Sequence, residues 1–370
     1  MISNLRLRSI LGNFKIDDKA IDYHSFIARF YNFCLEEGMT AGKIVPSRAF
    51  CSDESQGLPI ILISKHFAAF PFDHGLVGGV MATSRHSPHA HHGQDLAIIH
   101  ASHVGYDPNT ESFGRYRRLQ TSDRQFSSNC GMIDHTLEWY RTEYQFASEN
   151  ILLHRSDEGS FVTIDNQLLS QKYKEGLFLN LEEIIEIEEF TQQLTKSVRV
   201  LSTSKTYSVS KDFKDYMKEQ GYKWSKRPTP IGTFLNPSLF EYKRNIEDTH
   251  QVEQNIYPFL PWIITSKDPM LSAAEINTQV EFDRGYRSIV REKSYHGRNL
   301  IYISGLNIDY SPDDEHSFAL TQFVPWAAYV QHANGEHTVL EQDELYDRLM
   351  KCSETNPDQV SLDDIAKTIS

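Results

Sequence analysis

The sequence predicts an α/β fold, a small mixed β-sheet flanked by helices, followed by an α+β C-terminal half. Residues 21–37 place apolar side chains at helical spacing and stop at Gly38, which indicates a helix packed on one face. Residues 96–101 form a short apolar run typical of a buried strand, and residues 132–149 carry a second helical pattern. Such alternation of helices and strands is typical of α/β proteins.

The composition of the 370-residue chain is that of a soluble, folded protein. Hydrophobic residues make up 39% of it and aromatic residues 12%, enough side-chain burial to offset the entropy lost on folding. No apolar run approaches the roughly 20 residues of a membrane helix, and the N-terminus lacks the apolar core of a signal peptide. We therefore expect a cytoplasmic protein with no membrane partner.

The charge of the chain argues against nucleic acid as a partner. Its 50 acidic and 37 basic residues give a net charge of −13, whereas nucleic-acid-binding proteins concentrate positive charge on one surface. The most basic stretch, residues 115–118, is too short to provide such a surface. The acidity is better explained by solubility.

The first part of the chain contains four further elements, taken in order. Residues 44–50 predict a strand, and Pro46 places it at a sheet edge or near a strand start. Residues 58–70 predict a helix. Three glycines within residues 75–79 indicate close backbone packing, and no GK[ST] sequence follows that would make a phosphate loop. Residues 105–118 contain a turn signal and predict a hairpin return.

The second part of the chain is read from the same periodicities. Residues 181–194 predict an amphipathic helix with an acidic face, residues 198–209 a strand and residues 211–221 a second helix. Residues 299–308 predict a second strand, and residues 323–330 a buried aromatic segment. The acidic face is interpreted as solvent-exposed and not as a metal site.

Two of the four cysteines lie where metal ligands are expected. Cys51 directly follows a predicted strand. Cys130 begins a predicted helix, where free amides and the helix dipole stabilise a thiolate. The other two, Cys34 within a helical pattern and Cys352 near a polar tail, are interpreted as buried or incidental thiols.

A third soft ligand, His103, lies shortly after a predicted strand. Two thiolates and one imidazole form a donor set that zinc takes when its fourth position is left for water or substrate. The alternative is a closed structural zinc site, whose fourth ligand would be His100, Asp53 or a histidine of the loop at residues 86–92. We favour His103 over His100 because a histidine at a strand end more often packs or forms hydrogen bonds than binds a metal.

The order and spacing of these residues resemble a known family. Cys51-Ser52-Asp53, a distant histidine and then Cys130-Gly131 follow the ligand order of β-class carbonic anhydrases. The longer pattern of His103-Val104-Gly105, Gly114-Arg115 and Ser128-Asn129-Cys130-Gly131 resembles the limiting-CO2-inducible protein B family, an offshoot of that class. The resemblance covers residues 20–150.

The resemblance implies a site and an activity. Cys51, His103 and Cys130 would hold a Zn2+ ion, and Asp53 would be the catalytic carboxylate. The implied activity is that of a zinc-dependent lyase that hydrates CO2 reversibly to bicarbonate by zinc-bound hydroxide.

The resemblance also implies an organisation for the chain. Residues 1–150 would form a zinc-site core like that of the β-class carbonic anhydrases, with the metal at a loop edge of the sheet. Residues 151–370 would form a C-terminal extension that completes or covers this domain. A homodimer is implied as well.

Two departures from the β class bear on catalysis. In that class the histidine and the second cysteine lie close together along the chain, whereas 27 positions separate His103 from Cys130, as in the offshoot family. Ser55 stands where the β class has an arginine that pairs with the site aspartate, so Arg48 or Arg118 would have to supply that partner. The alternative function is therefore a catalytically silent zinc-binding relative that acts as a scaffold or carbon-status sensor.

Overall fold

A computed structural model describes most of the chain: residues 14–82, 94–117, 126–164, 175–186, 205–311, 320–361 and 363. It divides into two compact units. Among the described residues, those within 135–269 form one unit, and those before 135 and after 269 together form the other. None of the described helices is long and apolar enough to cross a membrane.

The described strands and helices follow one another along the chain. The strands are β1 (Ile21–Asp22), β2 (Ile44–Ala49), β3 (Phe72–Asp73), β4 (Gly75–Leu76), β5 (Val80–Met81), β6 (Asp95–Asp107), β7 (Ser112–Phe113), β8 (Arg115–Arg117), β9 (Phe126–Ser128), β10 (Ile151–Ser156), β11 (Gly159–Ile164), β12 (Gly176–Leu179), β13 (Lys205–Ser208), β14 (Thr229–Pro230), β15 (Phe240–Lys243), β16 (Leu300–Tyr310), β17 (Leu320–Gln331) and β18 (His337–Leu340). The α-helices are α1 (Tyr23–Glu36), α2 (Gly57–Phe67), α3 (Gly131–Asn150), α4 (Lys211–Glu219), α5 (Gln251–Ile256), α6 (Leu260–Thr265), α7 (Pro269–Arg291) and α8 (Gln342–Lys351).

An eight-stranded mixed sheet forms the centre of the larger unit. Its strand order is β1-β17-β16-β6-β2-β3, with β18 paired to β17 and β7 paired to β6. Strands β16, β6, β2 and β3 run parallel to one another, whereas β17 runs antiparallel to β16. The predicted α/β class, with a mixed sheet flanked by helices, is confirmed.

Helices cover both faces of this sheet because its central strands are apolar on both sides. On one face, α1, α2 and α8 pack over the sheet, and the rings of Phe26 and Phe323 stack at 3.9 Å. On the other face α7 packs through Phe282, whose ring stacks on Tyr302 at 5.4 Å. Gly285 permits this close approach, since a Cβ there would lie 2.5 Å from the Tyr302 hydroxyl oxygen.

The local predictions for this unit agree with the structure. The predicted helices at residues 21–37 and 58–70 correspond to α1 and α2, and the turn after residue 105 leads into β7, which pairs antiparallel with β6. The strand predicted at residues 299–308 is β16. Strand β6 is longer than predicted and continues through His103 to Asp107. Its polar residues Ser102, His103 and Asp107 are buried, so the strand extends beyond the apolar run that predicted it.

The unit of residues 135–269 contains the sheet β13-β11-β10-β14 and the pair β12-β15. The helix predicted at residues 211–221 is α4. The helix predicted at residues 181–194 is wrong at its start, because Leu181–Glu183 form a single 3-10 turn and Ile185 then makes a β-bridge with Val209. Residues 187–194 lie outside the described part of the chain.

Candidate metal centre

The candidate site lies near the carboxyl ends of three neighbouring parallel strands, β2, β6 and β16. Cys51 follows the last residue of β2 by two positions, and His103 lies in β6 beside Asn307 of β16. Cys130 directly precedes α3. In α/β sheets the carboxyl ends of parallel strands form the usual crevice for ligands. The fold thus brings together three residues that lie up to 79 positions apart.

The geometry of the three side chains fits one tetrahedral metal ion. Their ligand atoms all lie within 4.8 Å of one another. The two sulfurs, of Cys51 and Cys130, are 3.9 Å apart. Two Zn–S bonds of about 2.3 Å at a tetrahedral angle would separate the sulfurs by about 3.8 Å. The sulfur separation is far too long for a disulfide, so these residues match a zinc donor set.

All three side chains are buried, with 3%, 0% and 1% of their surface exposed for Cys51, His103 and Cys130. A hydrogen bond from Cys130 lowers the pKa of the Cys51 thiol, against the effect of burial, and contributions from His103 and the Gly78 amide lower it further. The Gly78 N–H lies 3.1 Å from the Cys51 sulfur. The hydrogen bond with Cys51 and burial raise the pKa of Cys130. A metal ion would bind both sulfurs as thiolates, so its binding would displace the protons that they hold.

A glycine in the His-Val-Gly sequence allows Cys130 to approach the sheet. Gly105 donates its N–H to the Asn129 carbonyl at 2.9 Å, and Asn129 donates to the Gly114 carbonyl at 3.1 Å. A Cβ at Gly105 would lie 2.5 Å from the Arg115 carbonyl oxygen and 3.0 Å from the Asn129 Cβ. Only a residue without a side chain lets the loop before Cys130 pack this closely against β6.

His103 has a buried carboxylate as its neighbour. Its Nδ1 lies 2.9 Å from Oδ2 of Asp309, and both side chains are fully buried. A carboxylate only accepts hydrogen bonds, so the proton of the neutral ring lies on Nδ1. The other nitrogen, Nε2, is buried and has no hydrogen-bond partner among the described residues. It is the nitrogen left for a metal.

Asp309 could not be predicted as a neighbour of His103, because it lies 206 positions after it in the chain. The available signal was two polar residues, Asn307 and Asp309, within a strand that otherwise reads as apolar. Such polar residues in a buried strand require partners.

The competing histidine is directed elsewhere. Side chains alternate along β6, so His100 and His103 point to opposite faces of the sheet. Both nitrogens of His100 have partners, Ser304 Oγ at 2.7 Å and the Gly79 carbonyl at 2.8 Å. The loop histidines of residues 86–92 lie outside the described residues. The described histidine in the metal-ligand group is His103.

Asp53 lies on the turn after Cys51, two residues past that cysteine. It is half-buried, and its Oδ1 accepts the Ser55 N–H at 3.2 Å, which caps the 3-10 turn Glu54–Gln56. Arg48 pairs with Asp73 at 2.7 Å, and Arg118 lies outside the described residues. Ser55 donates its hydroxyl to Asp309 at 2.8 Å. The serine at the arginine position therefore contacts the carboxylate that supports His103.

Comparison with solved structures identifies a similar fold. The crystal structure of PtLCIB4, a homologue of the limiting CO2-inducible protein LCIB, matches with a TM-score of 0.52 over 90% of this chain and 99% of that chain, at 12% identity. A mutant of PtLCIB4 matches with a TM-score of 0.50 over 87% and 93%, also at 12% identity. No family model matches the sequence, and no curated protein matches it. The chain therefore has the fold of LCIB homologues.

Proposed function

We propose that this protein is a zinc-dependent lyase that catalyses the reversible hydration of CO2, in which CO2 and water give bicarbonate and a proton. The observation that carries the proposal is the convergence of Cys51, His103 and Cys130 on one point, with a sulfur separation that suits a single tetrahedral ion. The likeness to the fold of LCIB homologues supports it.

The three ligands would hold the ion in a nearly neutral environment. Two thiolates balance its two positive charges, and the Gly78 N–H stabilises the charge on the Cys51 sulfur. When bound, zinc acts as a Lewis acid and lowers the pKa of a water molecule from about 15.7 toward 7. The three protein ligands leave the fourth position of a tetrahedral site for this chemistry.

Asp53 is the proposed catalytic residue. In this proposal its carboxylate accepts a hydrogen bond from the attacking water and aims the oxygen lone pair at the carbon of CO2. Support comes from its position two residues after Cys51 and from the Ser55 N–H, which fixes one carboxylate oxygen and leaves the other available. Because Arg48 is engaged by Asp73, Arg118 is the remaining candidate for a cationic partner of Asp53.

A homodimer is the proposed assembly. Strand β3 is an edge strand of the large sheet, and the residues around it expose apolar side chains. Phe70 is 72% and Phe72 is 52% exposed, and Leu76 and Val77 lie nearby in sequence and are also exposed. Exposed apolar clusters beside an open sheet edge favour association. Light scattering should give twice the monomer mass, and a Phe70→Ser, Phe72→Ser variant should give the monomer mass.

The enzyme proposal is tested by metal content and by stopped-flow CO2 hydration with a pH indicator. Cys51→Ala and Cys130→Ala should each lose zinc and hydration together, because two remaining ligands do not retain the ion. Cys34→Ala is the matched control, since Cys34 is also buried but lies in the core outside the metal-ligand group. Full zinc occupancy with no rate above buffer would refute the enzyme and leave the silent zinc-binding relative.

A further inference from the structure

We propose that Asp309 is a positioning residue that orients His103 and ties the segments of all three metal ligands to one carboxylate. This inference rests on the proposed metal site and is independent of whether the site hydrates CO2. It assigns a role in the metal centre to a residue of the C-terminal part of the chain.

The sheet itself sets Asp309 beside His103. Strands β6 and β16 are parallel and in register, with His103 opposite Asn307 and Gly105 opposite Asp309. Residues two apart in a strand point to the same face, so the imidazole and the carboxylate share one face of the sheet. Their contact at 2.9 Å fixes the proton on Nδ1 and leaves Nε2 as the donor atom.

The segments of the other two ligands reach the same carboxylate oxygen. Ser55 Oγ and Gln56 Nε2, on the turn after Cys51, each donate to Oδ2 of Asp309 at 2.8 Å. Asn129 Nδ2, adjacent to Cys130, lies 3.3 Å from the same oxygen. Oδ2 is therefore in contact with the segment of each ligand: His103 directly, and the cysteines through their sequence neighbours.

The second oxygen completes the hydrogen bonding of the carboxylate. Thr321 Oγ1 of β17 donates to Oδ1 at 3.2 Å. A fully buried carboxylate is destabilising unless its lone pairs accept hydrogen bonds. If Asp309 lost its charge, the buried groups that donate to it would share a weaker acceptor. Carboxylates that accept from metal-binding histidines contribute about 10–100-fold to metal affinity. The contacts of Asp309 predict a contribution of this size to the zinc affinity of the site.

The first test compares Asp309→Asn with the matched variant Asp107→Asn. Asp107 is also fully buried in the same sheet but accepts from Asn109 and Thr110, neither of which flanks a proposed ligand. Zinc affinity is measured by competition with a chromogenic chelator on the full chain. Asp309→Asn should bind zinc about 10–100-fold more weakly than the wild type, and Asp107→Asn should bind like the wild type. Equal zinc affinity of Asp309→Asn and the wild type would overturn the proposal.

The second test needs no variant and so remains informative if Asp309→Asn fails to fold. The wild-type chain, loaded with 113Cd and labelled with 15N-histidine, is studied by NMR. We expect 113Cd coupling to Nε2 of His103 and a proton on Nδ1. Coupling to Nδ1 would overturn the proposal, since that nitrogen would then not be held by Asp309. Because neither readout involves CO2, a zinc-binding but inactive protein would refute the proposed function and leave the role of Asp309 intact.

Discussion

The buried histidine His74 should make the folded state sensitive to acid. It is 3% exposed, and its Nδ1 lies 2.7 Å from Ser47 Oγ, whose hydroxyl proton is donated to the Phe72 carbonyl. The ring therefore donates from Nδ1, while the buried Nε2 has no partner among the described residues. Protonation would create a buried, charged N–H without an acceptor.

The loss of stability in acid follows from the pKa of His74. Burial first, and then electrostatic interactions with His100 and Arg48, lower the pKa of His74 from 6.5 to about 4. Because the folded pKa is depressed below the unfolded pKa for a base, the folded state is favoured by the neutral ring above pH 6.5 and loses this advantage as the pH falls toward 4. Between pH 7 and pH 5 the loss in the free energy of unfolding is about 2 kcal/mol.

The assay is urea unfolding at pH 7 and pH 5 with zinc removed by a chelator, so that metal release does not contribute. His74→Gln cannot titrate, and its stability should fall by about 2 kcal/mol less than that of the wild type over this interval. Because the variant and the wild type are compared over the same pH interval, the titration of other groups cancels. His135→Gln, at a side chain that is 81% exposed, is the matched control and should change nothing. An equal pH dependence in His74→Gln and the wild type would show that His74 does not contribute to the acid sensitivity.

Three further predictions test other parts of the structure. Asp53→Asn should keep zinc while hydration slows by about 10²–10⁴-fold, and a full rate in stopped-flow assays would remove Asp53 from the mechanism. Gly105→Ala should destabilise the protein by about 1–3 kcal/mol in urea unfolding, because its Cβ would meet the Arg115 carbonyl, whereas Gly57→Ala, with open space around it, should not. His66 has its pKa lowered to about 4 by burial, then by Lys65 and His24, so His66→Gln should also reduce the acid sensitivity between pH 7 and pH 4, as measured by urea unfolding.

Elements with strong local patterns could be predicted from the sequence. Helix α1 places Phe26, Phe30 and Phe33 on one face and ends before Gly38, whose φ of 87° suits glycine. The candidate ligand group could be predicted as well, because Cys51 and Cys130 each stand beside a strongly patterned strand or helix and His103 directly precedes Val104-Gly105. In both cases the information lies within a few residues.

Features that depend on distant partners could not be predicted. The acidic segment after residue 181 has a helical period, but Ile185 instead pairs with Val209, a contact that local periodicity does not contain. The sheet order has the same character. Strand β16 lies between β6 and β17, and the sequence of residues 300–310 does not indicate that its neighbour is a strand 204 positions earlier.

The proposed metal centre is for this reason a property of the whole larger unit. All three proposed ligands lie within the first 130 residues, yet the strand that holds His103 pairs on one side with β16, from the C-terminal part of the chain. The ligands alone would specify a donor set but not which nitrogen of His103 faces the sulfurs. In the proposed centre Asp309, on strand β16 in the C-terminal part of the chain, determines which nitrogen faces the sulfurs. A search for related metal centres should therefore also require a buried carboxylate on the neighbouring strand, two residues after the residue that pairs with the histidine. Ligand spacing alone does not show whether the histidine is oriented to bind a metal.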